Sequence, residues 1–361
     1  MTRRAAGPAD CDALRSSGRR PARIALGPIT RPLHVRSLVL TAVTVTATIA
    51  LALGALTLGE LHIPLGRVVS SITGSTAGFE ATVVTQWRLP RVVAAVVAGA
   101  ALGTSGAIFQ SLTRNPLGSP DVLGFSTGAY TGALVALVLL GAGWANVSIG
   151  ALTGGLAAAG IVMALGGTGR SMFRLVLVGV GLSATLTAAN HWLIAAADLE
   201  VAMSASMFGN GDLNGITWSR TAPLLAVVVV LGAAAGMLVR DMRVLELGDV
   251  HAAALGIRTA RTRTVLMLLG LALVSLPTAV MGPVAFVALM SPNIARRLNG
   301  SHGIDPVLSG ALGACLLLAS DIVAQRIIAP AQLPVGLVTG CVGGLYLLHL
   351  LRPALTKGPV A

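Results

Sequence analysis

The chain has 361 residues, 55% of them hydrophobic and only 11% charged, with a formal net charge of +12. Soluble domains carry roughly 25% charged residues, so this composition excludes a water-facing globule and points to a membrane protein. The positive excess does not mark a nucleic-acid binder: half of it sits in one N-terminal tail, and two Tyr and four Trp cannot build a base-stacking surface.

Residues 1–36 hold eight Arg against Asp10 and Asp12. This basic tail is expected to be disordered and cytoplasmic. The apolar run that follows, 37–58, is longer than the roughly 7–15 residues of a signal-peptide core and shows no small-residue cleavage pattern. It is expected to stay as a first transmembrane span. Nine further spans follow at 90–111, 121–141, 145–166, 174–197, 218–239, 263–281, 283–298, 305–328 and 334–351. The expected fold is all-α, a polytopic bundle of about ten helices over residues 37–352, with a cytoplasmic tail at 353–361. With the Arg-rich tail inside, 20 Lys and Arg fall on cytoplasmic segments and five on outer ones. That bias supports an even number of spans and two cytoplasmic termini.

Many of the 44 glycines lie inside spans. Gly99 and Gly103, Gly124 and Gly128, Gly150 and Gly154, and Gly340 and Gly344 are each four apart, which puts small residues on one helix face and favours close packing. Between spans two and three, Pro116 and Pro120 are expected to end one helix and help start the next. DVLGFSTGA (121–129) and PVLSGALGA (306–314) share Val, Leu, Gly and Ala in register, a faint internal echo. Cys11, Cys315 and Cys341 are too dispersed for a disulfide framework or a metal cluster.

Ionisable groups within spans are candidates for function because burying them is costly. Asp321 is the only carboxylate clearly inside a span, and Gln325 one turn on makes a local structural bond the favoured reading. His191 in span five reads as a packed or pore-lining group, and His349 as interfacial. GVGLSA (179–184) lies in an apolar span with no acidic residue following, and reads as helix packing. The sequence has no GxxxxGK[ST] loop, no HExxH and no paired intramembrane carboxylates. An energy source is therefore expected on a separate subunit, with no cofactor or metal on this one. A secondary transporter would need more buried acids, and a membrane enzyme would need a polar cluster at one depth. The longest charged internal segment, Arg240 to Arg263, holds a short helical run bracketed by Gly248 and Gly256 with Asp249 near its start. On pattern alone it is either an amphipathic loop helix or a docking helix for a soluble partner.

Four stretches resemble one family. WRLPRVVAAVVAGAALGTSGAIFQSLTRNPLGSPDVLGFSTGA (87–129), LELGDVHAAALGI (245–257), GPVAFVALMSPNIARRLNG (282–300) and LPVGLVTGCVGGLYLLHLL (333–351) are similar, in order and spacing, to signatures of FecCD-type ABC importer permeases. That family moves ferric siderophores, haem or vitamin B12. The resemblance implies a ten-span subunit that pairs with a second permease (identical or different), two ATPase subunits and an extracytoplasmic siderophore-binding protein. It places Arg88 and Arg91 where the binding protein docks. A third family Arg would fall at Gln325, with Arg326 one residue later as its counterpart. It places Leu247, Gly248, Asp249, Ala253, Leu255 and Gly256 in the ATPase cleft. The pathway lining falls on span five, which carries Ser183, Thr187, Asn190, His191 and Trp192. Residues 191–218 look most like the ferric-enterobactin branch.

Overall fold

A computed structural model describes residues 23–26, 29–32, 35–59, 61–75, 78–141, 143–166, 172–300, 303–328 and 331–356. Most of the tail expected to be disordered, 1–36, lies outside these residues. Its described part is a short antiparallel pair, β1 (Arg23–Leu26) and β2 (Ile29–Pro32), followed by the start of the first helix. Among the described residues, everything else with regular structure is helical.

The apolar runs fold as expected into long helices: α1 (Val35–Thr57), α4 (Leu89–Thr113), α5 (Phe125–Leu140), α6 (Trp144–Gly166), α7 (Met172–Ala196), α9 (Trp218–Met237), α12 (Thr259–Met281), α14 (Pro306–Arg326) and α15 (Val335–Thr356). Among the described residues, seven helical segments are long and apolar enough to cross a bilayer, and Phe125–Leu140 and Val335–Leu350 are shorter apolar helices. Short helices fill the connections: α2 (Leu65–Ile72) and α3 (Phe79–Thr82) after α1, α8 (Leu199–Gly209) after α7, then α10 (Val239–Glu246) and α11 (Asp249–Ala254).

Two expected spans are corrected. The third does not begin at residue 121: the chain turns through residues 120–124, Gly124 takes a left-handed conformation, and α5 starts at Phe125. Pro120 therefore belongs to the turn and not to the helix start. The eighth, expected at 283–298, is broken. Gly282 ends α12 at a positive φ, residues 283–286 are non-helical, and α13 (Val287–Asn299) is only 13 residues long. At 1.5 Å per residue it spans about 20 Å, less than a hydrocarbon core.

α4 is the central helix, buried along most of its length. Pro90 removes a backbone N–H near its start, and the preceding turn, Val83–Arg88, widens into a π-helix. The Trp218 indole N–H donates to the Thr85 carbonyl there at 2.7 Å. Along α4, Gly99 and Gly103 face the backbone of α14, and a Cβ at Gly106 would overlap the Ala288 carbonyl of α13. The α5–α6 seam is built likewise from Gly128, Gly132, Gly150 and Gly154. Gly340 and Gly344, expected to pack the same way, meet no neighbouring atom within 4 Å.

Candidate functional site

The residues singled out by sequence gather at the two ends of the bundle and along one face of α7. At the end where α4 begins, Arg88 turns back onto α1. Its guanidinium donates to the Leu56 carbonyl at 2.8 Å and to the Leu61 carbonyl at 2.6 Å. A cation on the last carbonyls of α1 complements that helix terminus. Arg91, one turn on, is engaged more fully. It donates to both Asp321 oxygens at 2.8–3.2 Å, to Asn214 Oδ1 at 2.7 Å and to Gln332 Oε1 at 2.7 Å. Gln325 donates to Asp321 Oδ2 at 2.8 Å, so the local bond read from sequence is present. The main charge partner, however, comes from α4, 230 positions away, and a one-helix reading cannot see it. Arg326 is exposed and makes no salt bridge among the described residues, and Arg88 lies near enough to feel its charge. Of the three arginines, Arg326 is thus the one whose head is free to meet an outside carboxylate.

At the opposite end the segment 245–257 forms a bend. α10 stops at Glu246, Gly248 takes φ 112°, and Asp249 opens α11. Gly256, at φ 82°, closes the motif before α12. Ala252 and Leu245 point inward and are buried, while Leu247, Val250 and Leu255 are 64%, 81% and 64% exposed. Ala253 is exposed on the same short helix. Arg240, Arg243, Arg258 and Arg261, on either side of this segment in sequence, are exposed. Asp249 is not a free end. Its Oδ1 accepts from Arg114 and from Arg263, both at 2.7 Å. Sequence reasoning passed over Arg114 as one of many inside arginines, and only the fold brings it to α11.

A second polar group underlies α10. Burial raises the Glu246 carboxyl above its ordinary range. The Ile304 backbone N–H, Ser111, Arg296 and Arg243 pull it back down. Its Oε1 has no hydrogen-bond partner among the described residues, and neighbouring Arg296 instead reaches Gln110 Oε1 at 2.7 Å.

Ser183, Thr187, Asn190 and His191 recur at helical spacing and so share one face of α7. Thr187, Asn190 and His191 line a cleft of about 760 Å³ with Asp121, Tyr130, Asn210 and the non-helical Pro283–Ala285 stretch. Ser183 packs beside it on Thr127, their hydroxyls 3.0 Å apart. Trp192 belongs to the opposite face and is 69% exposed. The pathway set read from sequence therefore splits into two faces. Among the described residues no group of His, Cys, Asp and Glu is arranged to hold a metal ion.

Long apolar helices packed through glycine define a multi-pass membrane protein. The chain belongs to the FecCD transport family, which its residues 46–353 match. It is 44% identical over 308 residues to the ferric enterobactin transport system permease protein FepG of Escherichia coli (strain K12), covering 85% of this chain and 93% of that one. It is 34% identical over 329 residues to FepD, a ferric enterobactin transport system permease protein of the same organism, covering 90% and 96%. A solved metal-chelate type ABC transporter in an inward-facing conformation shares the fold, with a TM-score of 0.75 at 22% identity over 88% of this chain and 99% of that one.

Proposed function

We propose that the chain is a membrane-spanning permease subunit of an ATP-driven importer that carries a ferric siderophore into the cytoplasm. The 44% identity to a ferric enterobactin permease along nearly the whole chain carries this reading. Vitamin B12 and haem are the alternative cargoes. ATP hydrolysis belongs to two separate ATPase subunits, which dock on the exposed Leu247, Val250 and Leu255 patch. An extracytoplasmic binding protein docks at the other end, with Arg326 as its salt-bridge donor and Arg88 beside it. Likeness to both FepG and FepD, two permeases named for one transport system, favours pairing with a second, different permease. The subunit lies in the inner membrane with both termini cytoplasmic, the orientation that the Arg-rich tail favours. The cargo passes along α7, on the face that carries Ser183, Thr187, Asn190 and His191.

The test is uptake of iron-labelled siderophores in a strain deleted for this chain, with haem and vitamin B12 measured in parallel. Loss of ferric-siderophore uptake alone, restored by the intact gene, supports the assignment. Loss of haem or vitamin B12 uptake with siderophore uptake intact would move the cargo to the alternative.

A further inference from the structure

Arg114 ends α4 in a left-handed backbone conformation, φ 49° and ψ 30°. Side chains with a Cβ disfavour this region, and glycine or asparagine is the usual occupant of such a helix end. Among the described residues only Phe286 shares a positive φ without being glycine. Such a conformation persists only where the surrounding structure holds the residue in it.

The Arg114 side chain reaches across the bend between α10 and α11. Nε donates to the Leu245 carbonyl in the last turn of α10 at 3.2 Å, and an Nη donates to Asp249 Oδ1, at the first residue of α11, at 2.7 Å. One guanidinium therefore grips both sides of Gly248, whose φ of 112° makes the bend. Arg263 of α12 holds the same Asp249 oxygen at 2.7 Å. Ser111, one turn back on α4, donates to the Met242 carbonyl of α10 at 3.4 Å. The end of the most buried helix is thus fastened to the segment that exposes Leu247, Val250 and Leu255.

We propose that Arg114 is a positioning residue for energy coupling, locking the α10–α11 bend so that α4 and the exposed Leu247–Val250–Leu255 patch move together. The proposal rests on the reading that this patch meets an ATPase. It also gives Asp249 a different part from the one implied by the family resemblance: an internal node between α4 and α12, not itself the group that contacts the ATPase. Exposed ion pairs add little to stability, so the clamp acts on pose more than on folding.

The variants are Arg114→Gly, which suits the positive φ but lacks the fork, Arg114→Lys, which keeps the charge but not the planar pair of donors, and Asp249→Ala. In the full complex in proteoliposomes, Arg114→Gly keeps or raises the melting temperature while cargo moved per ATP falls by about fivefold or more. Asp249→Ala gives the same fall, and Arg114→Lys is intermediate. An unchanged ratio in Arg114→Gly overturns the proposal, as does a parallel fall in melting temperature, assembly and transport, which is a structural defect only.

A second measurement does not depend on ATP coupling. A nitroxide at Val250→Cys, in the chain freed of Cys11, Cys315 and Cys341, becomes more mobile in Arg114→Gly; an unchanged spectrum overturns the clamp. An intact complex that moves no cargo with ATP would instead count against the proposed function, with the spin-label result still deciding the clamp.

Discussion

Arg91 on α4 meets Asp321 on α14 through Nη at 2.8 Å and Nε at 3.1 Å, with the Asp321 side chain 1% exposed and that of Arg91 13% exposed. Asn214, Gln332 and Gln325 fill the remaining positions around the pair. A charge so enclosed tolerates burial only while paired and fully hydrogen-bonded.

Breaking the pair from one side is therefore expected to be severe. Arg91→Ala or Asp321→Ala should each cost about 3–5 kcal/mol, because the other charge is left uncompensated. Replacing both with apolar residues of similar volume should recover most of the loss. Urea or thermal unfolding of the purified chain in detergent reads this directly, and single variants as stable as the parent would contradict the geometry.

Docking and folding separate on the arginines. Arg326→Glu should weaken stimulation of ATP hydrolysis by the binding protein, through like-charge contact with an acidic partner, and leave unfolding unchanged. Arg91→Glu should instead lower stability before any docking is measured. Stimulation that is normal in Arg326→Glu would remove that residue from the docking surface.

The glycine seams make a graded prediction. Gly106→Val forces α4 away from the Ala288 backbone and should prevent recovery of monodisperse protein, whereas Gly340→Ala, in open space, should leave it unaffected. Size-exclusion profiles of the two variants provide the comparison.

Glu246 carries a pH prediction. Its carboxyl lies above the ordinary range in the folded chain because of burial, so the folded state holds that proton more tightly than the unfolded state. The sign follows from linkage: stability from this group is complete below the ordinary carboxylate range and is lost as pH rises through the folded value. Glu246→Gln should be more stable than the parent at neutral pH and should flatten this fall. A variant with the parent's profile would show that Glu246 ionises without cost.

Much of the bundle is legible in the sequence because lipid imposes one requirement, internal backbone hydrogen bonding over some twenty apolar residues. That requirement identifies α1, α4, α9, α12 and α14 to within a few positions. It does not identify the break at 283–286, because an apolar stretch reads alike as helix or as buried irregular backbone. The bend at Gly248 was visible because glycine, an acid at a helix start and a local charge run are local signals. The Arg91–Asp321 pair and the Arg114 clamp were not, since each joins positions over a hundred residues apart, and such pairings are set by the packing of helices α4, α12 and α14. The same limit explains the pathway residues. Helical spacing places Ser183, Thr187, Asn190 and His191 together and Trp192 opposite, whereas only the fold shows which face meets α5.

On the proposed function, this subunit moves an iron chelate driven by ATP hydrolysed on a separate subunit. The most direct measurement is import of iron-labelled siderophore into proteoliposomes that hold the chain with its partner permease and ATPase, with binding protein outside and ATP inside. Uptake is expected to require ATP and the binding protein and to persist when ionophores collapse the ion gradients. Uptake that proceeds without ATP and stops with an ionophore would contradict the proposed function.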